Sequence, residues 1–263
     1  MDTPPEGALK RIREDIDDID DAMLALLAKR FAAVEKVREI KSASGAINQS
    51  PMRPAREAAI LRRLLDAKAE NVPGELRIRL WRAIISASTL LQAPLRIHVS
   101  TGLFNSIAMR LVLRDHFGAT PVSEHPNEAQ ALAALVGHPG DVAILALDAP
   151  WLEAFLDGRA GKAQVIASLP QIMAGPAPQA LVFGHAQPEP TGADETLLVT
   201  DGQLPRDFTP APLWQKRMDG KHLAGLPGFL GEHNGPLIGL IRLNPPLALS
   251  VLGRYPSPIE VRS

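Results

Sequence analysis

Proline divides this chain into two unlike parts. Five of the 24 prolines (Pro4, Pro5, Pro51, Pro54 and Pro73) precede residue 93, and the other 19 follow it. A proline inside a helix removes a hydrogen bond and clashes with the preceding turn, so long helices need proline-free sequence. Two such stretches, Glu6 to Ser50 and Gly74 to Ala93, flank a shorter one, as three helices with two connections require. Beyond Pro94, short apolar runs such as Ile97-His98-Val99 and Val142 to Leu147 alternate with helical patterns and Pro/Gly turns. The expected fold is two-part: an all-α domain over residues 1–93 and an α/β domain over residues 94–263. At 46% hydrophobic content, both parts can fill a core.

Composition excludes several function classes. With 28 basic and 29 acidic residues the chain has no global field to recruit nucleic acid or an anionic membrane. Cysteine is absent, which removes disulfides, thiolate metal sites and cysteine nucleophiles, and suits a reducing compartment. The start, Met1 to Gly7, lacks the basic and apolar regions of a signal peptide, and no apolar run is long enough to span a bilayer. A cytoplasmic protein is expected. The seven histidines are scattered without metal-ligand spacing, so solvated or core roles are expected for them and no metal site is assigned. Gly225-Leu226-Pro227-Gly228 reads as a turn, not a phosphate loop.

In the first helix, about Leu9 to Ser42, the residues Leu9, Ile12, Ile16, Ile19, Met23, Leu26, Ala33, Val37 and Ile40 keep the three-and-four spacing of a packed seam. Such a helix is roughly 50 Å long at 1.5 Å per residue, too long for three compact helices to cover. A second chain is expected over it. Arg30 falls where the seam expects an apolar residue. Taken alone, a snorkelling or ion-paired arginine is the ordinary explanation for it. Arg13 and Lys41, taken singly, are routine surface cations.

The second helix should start at Pro54 and bury Ile60, Leu61, Leu64 and Leu65, with Arg53, Arg56 and Glu57 bordering the same inward face. Glu57 also fits an ordinary first-turn acid. The third helix, roughly Glu75 to Gln92, should bury Leu80, Trp81, Ile84 and Ile85 and continue that stripe through Ser88 and Gln92. Fraying of a last turn explains these two polar positions equally well.

Taken together, Ile12-Arg13-Glu14 with Ile19-Asp20, Leu24 to Arg30, Lys41, Arg56-Glu57, and Ile84-Ile85 through Ser88 to Gln92 resemble the motif set of all-helical chorismate mutases. The resemblance runs almost continuously over residues 8–92. It implies an intertwined helical homodimer that binds chorismate, with Arg13 lent across the interface to the partner's pocket. It further implies that Arg13 and Arg30 grip the two carboxylates, with Arg56 adding charge nearby. Glu57 takes the ring hydroxyl, Ser88 assists at a carboxylate, and Lys41 and Gln92 donate to the ether oxygen. Lys41, Gln92, Arg30 and Glu57 are the catalytic candidates. The rearrangement is unimolecular and pericyclic, so no cofactor is implied; the work is conformational restraint and donors aimed at developing charge. Two features depart from the pattern. The loop carrying Ser44-Gly45-Ala46 and Asn48-Gln49-Ser50-Pro51 is longer than usual, and Arg53 stands where many members place an acid. Both keep open an activity like that of isochorismate-pyruvate lyase, or a non-catalytic relative that senses a metabolite.

Residues 95 to about 185 resemble one lobe of a prephenate dehydratase, through Arg96 to Val99, Gly102-Leu103-Phe104-Asn105-Ser106, a helix ending at Phe117-Gly118, and the strand after Gly140-Asp141. The chemistry is missing. Asp148-Ala149-Pro150 replaces the family's Glu-Asn turn, and Pro178-Gln179-Ala180 stands where Thr-Arg-Phe belongs. Only about 30 residues separate these positions, where the family inserts a whole second lobe. No dehydratase activity is expected. The tail from Thr196 carries no ligand motif and is expected to extend the α/β lobe.

Overall fold

A computed structural model describes residues 4–44, 50–69, 71–172, 177–231, 235–243 and 248–261. The expected loop residues Gly45, Ala46, Asn48 and Gln49 lie outside the described residues. The chain forms two compact units divided between Ile47 and Asn48.

The first unit is a single helix, α1 (Pro4–Ala43), 40 residues long. Prolines suit its first turn, where no backbone N–H is needed, and Lys41 in its last turn faces the negative end of the helix dipole. The seam residues are exposed: Ile16 is 50% exposed and Ile40 69%.

The second unit opens with α2 (Pro54–Asp66) and α3 (Gly74–Gln92). Pro54 starts α2. The Arg77 guanidinium donates to the carbonyls of Leu64, Leu65 and Ala67, closing the end of α2 that would otherwise face solvent unpaired. Arg62 fastens α2 to the sheet by donating to Thr191 Oγ1 and to the carbonyls of Ala193 and Ser257 at 2.8–2.9 Å. Two expectations need correction. Ile60, Leu64 and Leu65 are only half-buried, with Ala58 and Leu61 forming the closed face of α2. In α3 the buried residues are Ile78, Arg82, Ile85, Ser86, Ser88 and Thr89, whereas Leu80 is exposed. The centre of this face lies about 100° round the helix from the expected stripe. Two helices pack on α3: α2, whose Leu61 joins Ile259 against Ile78 and Ile85, and α5 (Ile107–Phe117).

A nine-stranded mixed sheet follows: β1 (Ile97–Ser100), β2 (Val122–His125), β3 (Val142–Ala146), β4 (Gln164–Leu169), β5 (Ala180–Gly184), β6 (Asp194–Thr200), β7 (Trp214–Met218), β8 (Lys221–Pro227) and β9 (Leu249–Pro256). Their order is β2-β1-β3-β5-β4-β9-β6-β8-β7. The first three are parallel and joined by helical crossovers through α4 (Thr101–Phe104), α5 (Ile107–Phe117) and α6 (Glu128–Ala133). Short α7 (Leu152–Leu156) leads into β4, and α8 (Gly235–Leu243) connects β8 to β9. One face of the sheet packs Leu145, Trp151, Leu152, Phe183 and Tyr255; the other packs Ile97, Val99, Phe117, Ile144 and Val182.

Two glycines decide strand contacts. β4 and β9 meet at the register pair Val165 and Gly253, where a Cβ on Gly253 would stand 2.0 Å from the Val165 carbonyl oxygen. Gly225 lies inside β8, not in the expected turn, because the Trp214 indole occupies the space of its missing side chain. Only Gly228, with φ of +97°, makes the bend.

Candidate functional site

The eight expected site residues divide between the units. Arg13, Arg30 and Lys41 stand on α1; Arg53, Arg56, Glu57, Ser88 and Gln92 stand in the second unit.

On α1, Arg30 and Lys41 are separated by about 20° of rotation and three turns, so both sit within the apolar stripe. Arg13 is about 100° round from Arg30 and about 25 Å along the axis, too far for both to grip one small dianion on a straight helix. Arg30 and Lys41 are half-buried and Arg13 is exposed. Burial lowers the Arg30 pKa from its ordinary value, though a guanidinium stays charged.

In the second unit, the expected inward placement of Arg53 and Arg56 is not observed: both are exposed, and Arg53 pairs with Glu189 at 3.5 Å. Glu57 is buried. Its Oε1 accepts the Arg53 backbone N–H at 3.3 Å, a reach-back contact that caps α2. Its Oε2 accepts from Arg82 Nη1 at 2.7 Å, and Arg82 Nη2 donates to the His116 carbonyl at 3.0 Å. The pair is closed to solvent on both sides, with side chains 6% and 9% exposed. Ser88 is buried and donates to the Ile84 carbonyl at 2.7 Å; Gln92 Nε2 donates to the Ser88 carbonyl at 3.3 Å. The structure therefore brings Arg53 to Glu57 and Gln92 to Ser88. Arg82, the residue that fixes Glu57, carries no sequence signal, since an arginine inside α3 looks like any other surface cation.

A second cleft, of about 550 Å³, lies at the ends of β1 and β3. Gly102, Ser106, Asp148 and Gln179 line it, so the positions that resembled a dehydratase do converge. Ser106 caps α5 by accepting the Met109 N–H at 3.3 Å. Neither Asp148 nor Gln179 offers a hydroxyl or guanidinium there.

Three more polar residues meet unexpectedly. The parallel β1–β2 pairing sets Ser100 opposite His125, which brings His98 Nδ1 within 2.9 Å of His125 Nε2; His98 Nε2 lies 3.1 Å from Asp141 Oδ2. Burial first, and then the neighbouring His98, lower the His125 pKa. Among the described residues no group of three or more acidic, histidine or cysteine side chains is arranged to hold a metal ion, and no helix is long and apolar enough to cross a membrane.

Residues 12–93 match the chorismate mutase type II family. A bifunctional chorismate mutase/prephenate dehydratase from Stutzerimonas stutzeri is 30% identical over 118 residues, covering 44% of this chain and 32% of that protein. The chain thus spans about a third of the curated relative it matches. Two solved structures are similar at low identity. One, described as GqqA, a novel type of quorum quenching acylase, is 15% identical over 62% of this chain and 95% of its own, with a TM-score of 0.43. The other, prephenate dehydratase from Streptococcus mutans, is 16% identical over 64% of this chain and all of its own, with a TM-score of 0.35. The match over residues 12–93 bears out the resemblance read from the N-terminal motifs.

Proposed function

We propose that the chorismate mutase type II segment at residues 12–93 converts chorismate to prephenate, as a helical homodimer of a cytoplasmic enzyme in aromatic amino-acid biosynthesis. The observation that carries this reading is that the stretch matched by the family, residues 12–93, contains Arg13, Arg30, Lys41, Arg56, Ser88 and Gln92 together with the acceptor Glu57. Exposed apolar residues support the dimer: the seam of α1, and Leu80 of α3 beside half-buried Ile84. The separation of Arg13 from Arg30 on one helix supports their serving two different pockets. In this reading the module boundary falls at residues 93/94, and the α/β part does not dehydrate prephenate.

Arg13 and Arg30 bind the carboxylates through bidentate guanidinium forks. Lys41 and Gln92 stand ready to donate to the ether oxygen as negative charge grows on it, and Gln92 needs no proton to do so. Purified protein incubated with chorismate should consume its absorbance and yield prephenate. Lys41→Ala or Gln92→Ala should lower turnover about 10²- to 10³-fold, the effect of losing one preorganised donor, while the helical content persists.

One observation favours a second reading. Glu57 is held by Arg82 in a buried ion pair, which competes with a role at a substrate hydroxyl. Pyruvate released from isochorismate with chorismate left intact would establish a lyase-like activity instead. Binding of an aromatic-pathway metabolite with turnover of neither substrate would establish a sensor.

A further inference from the structure

Helix α2 is held by little of its own. Of its 13 residues only Glu57, Ala58 and Leu61 are buried, and an isolated helix of that length is marginal in water, so neighbours must supply its order. Helix α3 is fixed without α2. It runs through Pro94 into β1, Arg82 donates to the His116 carbonyl at 3.0 Å, and Ser86 Oγ donates to the Phe117 carbonyl. The position of α2 against α3 is set separately. One tie, Glu57 to Arg82, lies within the pair. The others come from the α/β part.

Leu61 packs in a cluster with Ile78 and Ile85 of α3 and with Ile259, which follows β9. Ile259 is fastened from behind: its N–H donates to the Gln171 carbonyl at 2.7 Å, and it bridges Ile172 in parallel. Two residues on, Val261 lies against the start of α3, where a Cβ on Gly74 would stand 3.0 Å from Val261 Cγ1 and 3.2 Å from Leu65 Cδ2. Arg62 reaches the same segment and the loop before β6. It donates to the Ser257 and Ala193 carbonyls at 2.9 and 2.8 Å and to Thr191 Oγ1 at 2.8 Å. Asp194 holds that loop in shape, accepting from Thr191 Oγ1 and from the backbone N–H groups of Thr191 and Gly192 at 2.6–3.1 Å. A planar fork on three preset acceptors fixes direction as well as distance, which a single ammonium contact does not.

We propose that the α/β part is the frame that positions α2, with Arg62 and Ile259 as the positioning residues. Through them it sets Arg56 and Glu57 on α2 against Ser88 and Gln92 on α3. The docking of α2 stands on these contacts alone; its consequence for turnover rests on the mutase reading.

The test uses Arg62→Ala and Ile259→Ala in the full chain and reads amide hydrogen exchange beside chorismate kinetics. Losing the Arg62 fork should speed exchange across α2 about tenfold, the scale of one charge-assisted hydrogen bond, with β6 and β8 unchanged. KM for chorismate should rise about tenfold while kcat falls less than about threefold, because Arg56 and Glu57 hold the substrate whereas Lys41 and Gln92, the donors at the ether oxygen, lie on other helices. Ile259→Ala should act in the same direction, and Arg62→Lys, which keeps one contact, should recover part of the loss. Unchanged α2 exchange in Arg62→Ala overturns the proposal. So does exchange that quickens equally in β6 and β8, or a fall in kcat as large as the rise in KM. Should Ile259→Ala not fold, Arg62→Ala decides alone. A parent that leaves chorismate untouched ends the mutase reading, and the exchange of α2 still decides the docking.

Discussion

Helix α1 and the nine-stranded sheet both carry apolar patterns, yet the sheet residues are buried and the α1 seam residues are exposed. Ile144, Leu145, Val182 and Phe183 are fully buried, whereas every seam residue from Leu9 to Leu26 stays largely open to solvent. Amphipathic periodicity states which face will be covered but not by what. In the sheet the covering elements include the crossover helices between neighbouring strands; for the α1 stripe the proposed cover is a second chain. Helix α3 shares both situations. Its Ile78 and Ile85 side is closed, while Leu80, Trp81 and Ile84 remain partly or wholly open.

The comparison breaks first at the Glu57–Arg82 pair, which belongs to the closed side of α3 although Glu57 was read as a pocket residue. Arg82→Met leaves a buried carboxylate without its counter-charge and should destabilise the second unit by about 3–5 kcal/mol in urea unfolding. Replacing both partners, as Glu57→Gln with Arg82→Met, should recover most of that loss. If the single variant costs nothing, the pair is not closed as described and Glu57 is free for a substrate.

The open face of α1 is tested by Ile16→Glu. If two copies cover this stripe, each lost isoleucine removes about 1.5–3 kcal/mol of association, and sedimentation velocity should show dissociation at micromolar concentration. Unfolding of the sheet unit should be unchanged. A variant that sediments like the parent would mean that the stripe is not the interface.

Legibility in the sequence followed the range of the signal. The start of α2, the limits of α3, the end of α5 at Phe117-Gly118 and the strands around Val99 and Ile144 were readable because proline, glycine and local periodicity act within a turn or two. The face that α3 buries was not, since it depends on partners distant in sequence: α2, α5 and Ile259. Nor was the His98–His125–Asp141 contact, which exists only in the parallel register of β1 and β2. Gly225 was misread for the same reason: a glycine needed for a close approach to Trp214 looks in sequence like one needed for a bend. The spacing of Arg13, Arg30 and Lys41 was legible because a single long helix converts sequence separation directly into geometry.

The smallest effect probes how tightly the sheet is closed. Glu195 on β6 is buried opposite Tyr255 of β9, whose hydroxyl donates to it at 3.4 Å. Desolvation raises the Glu195 pKa, and the neighbouring Trp214 indole and Tyr255 hydroxyl offset this only in part. Because the folded pKa lies above the unfolded one, the fold binds this proton more tightly than the unfolded chain does. The stabilisation is complete below the unfolded value and is lost as pH rises through the folded one. Relative to Glu195→Gln, the parent should therefore lose stability as pH rises above the ordinary carboxylate range. Urea midpoints of parent and variant measured in parallel across that range isolate the effect from the other carboxylates. A constant difference between them would mean that water reaches Glu195 and that this end of the sheet is as open as α1.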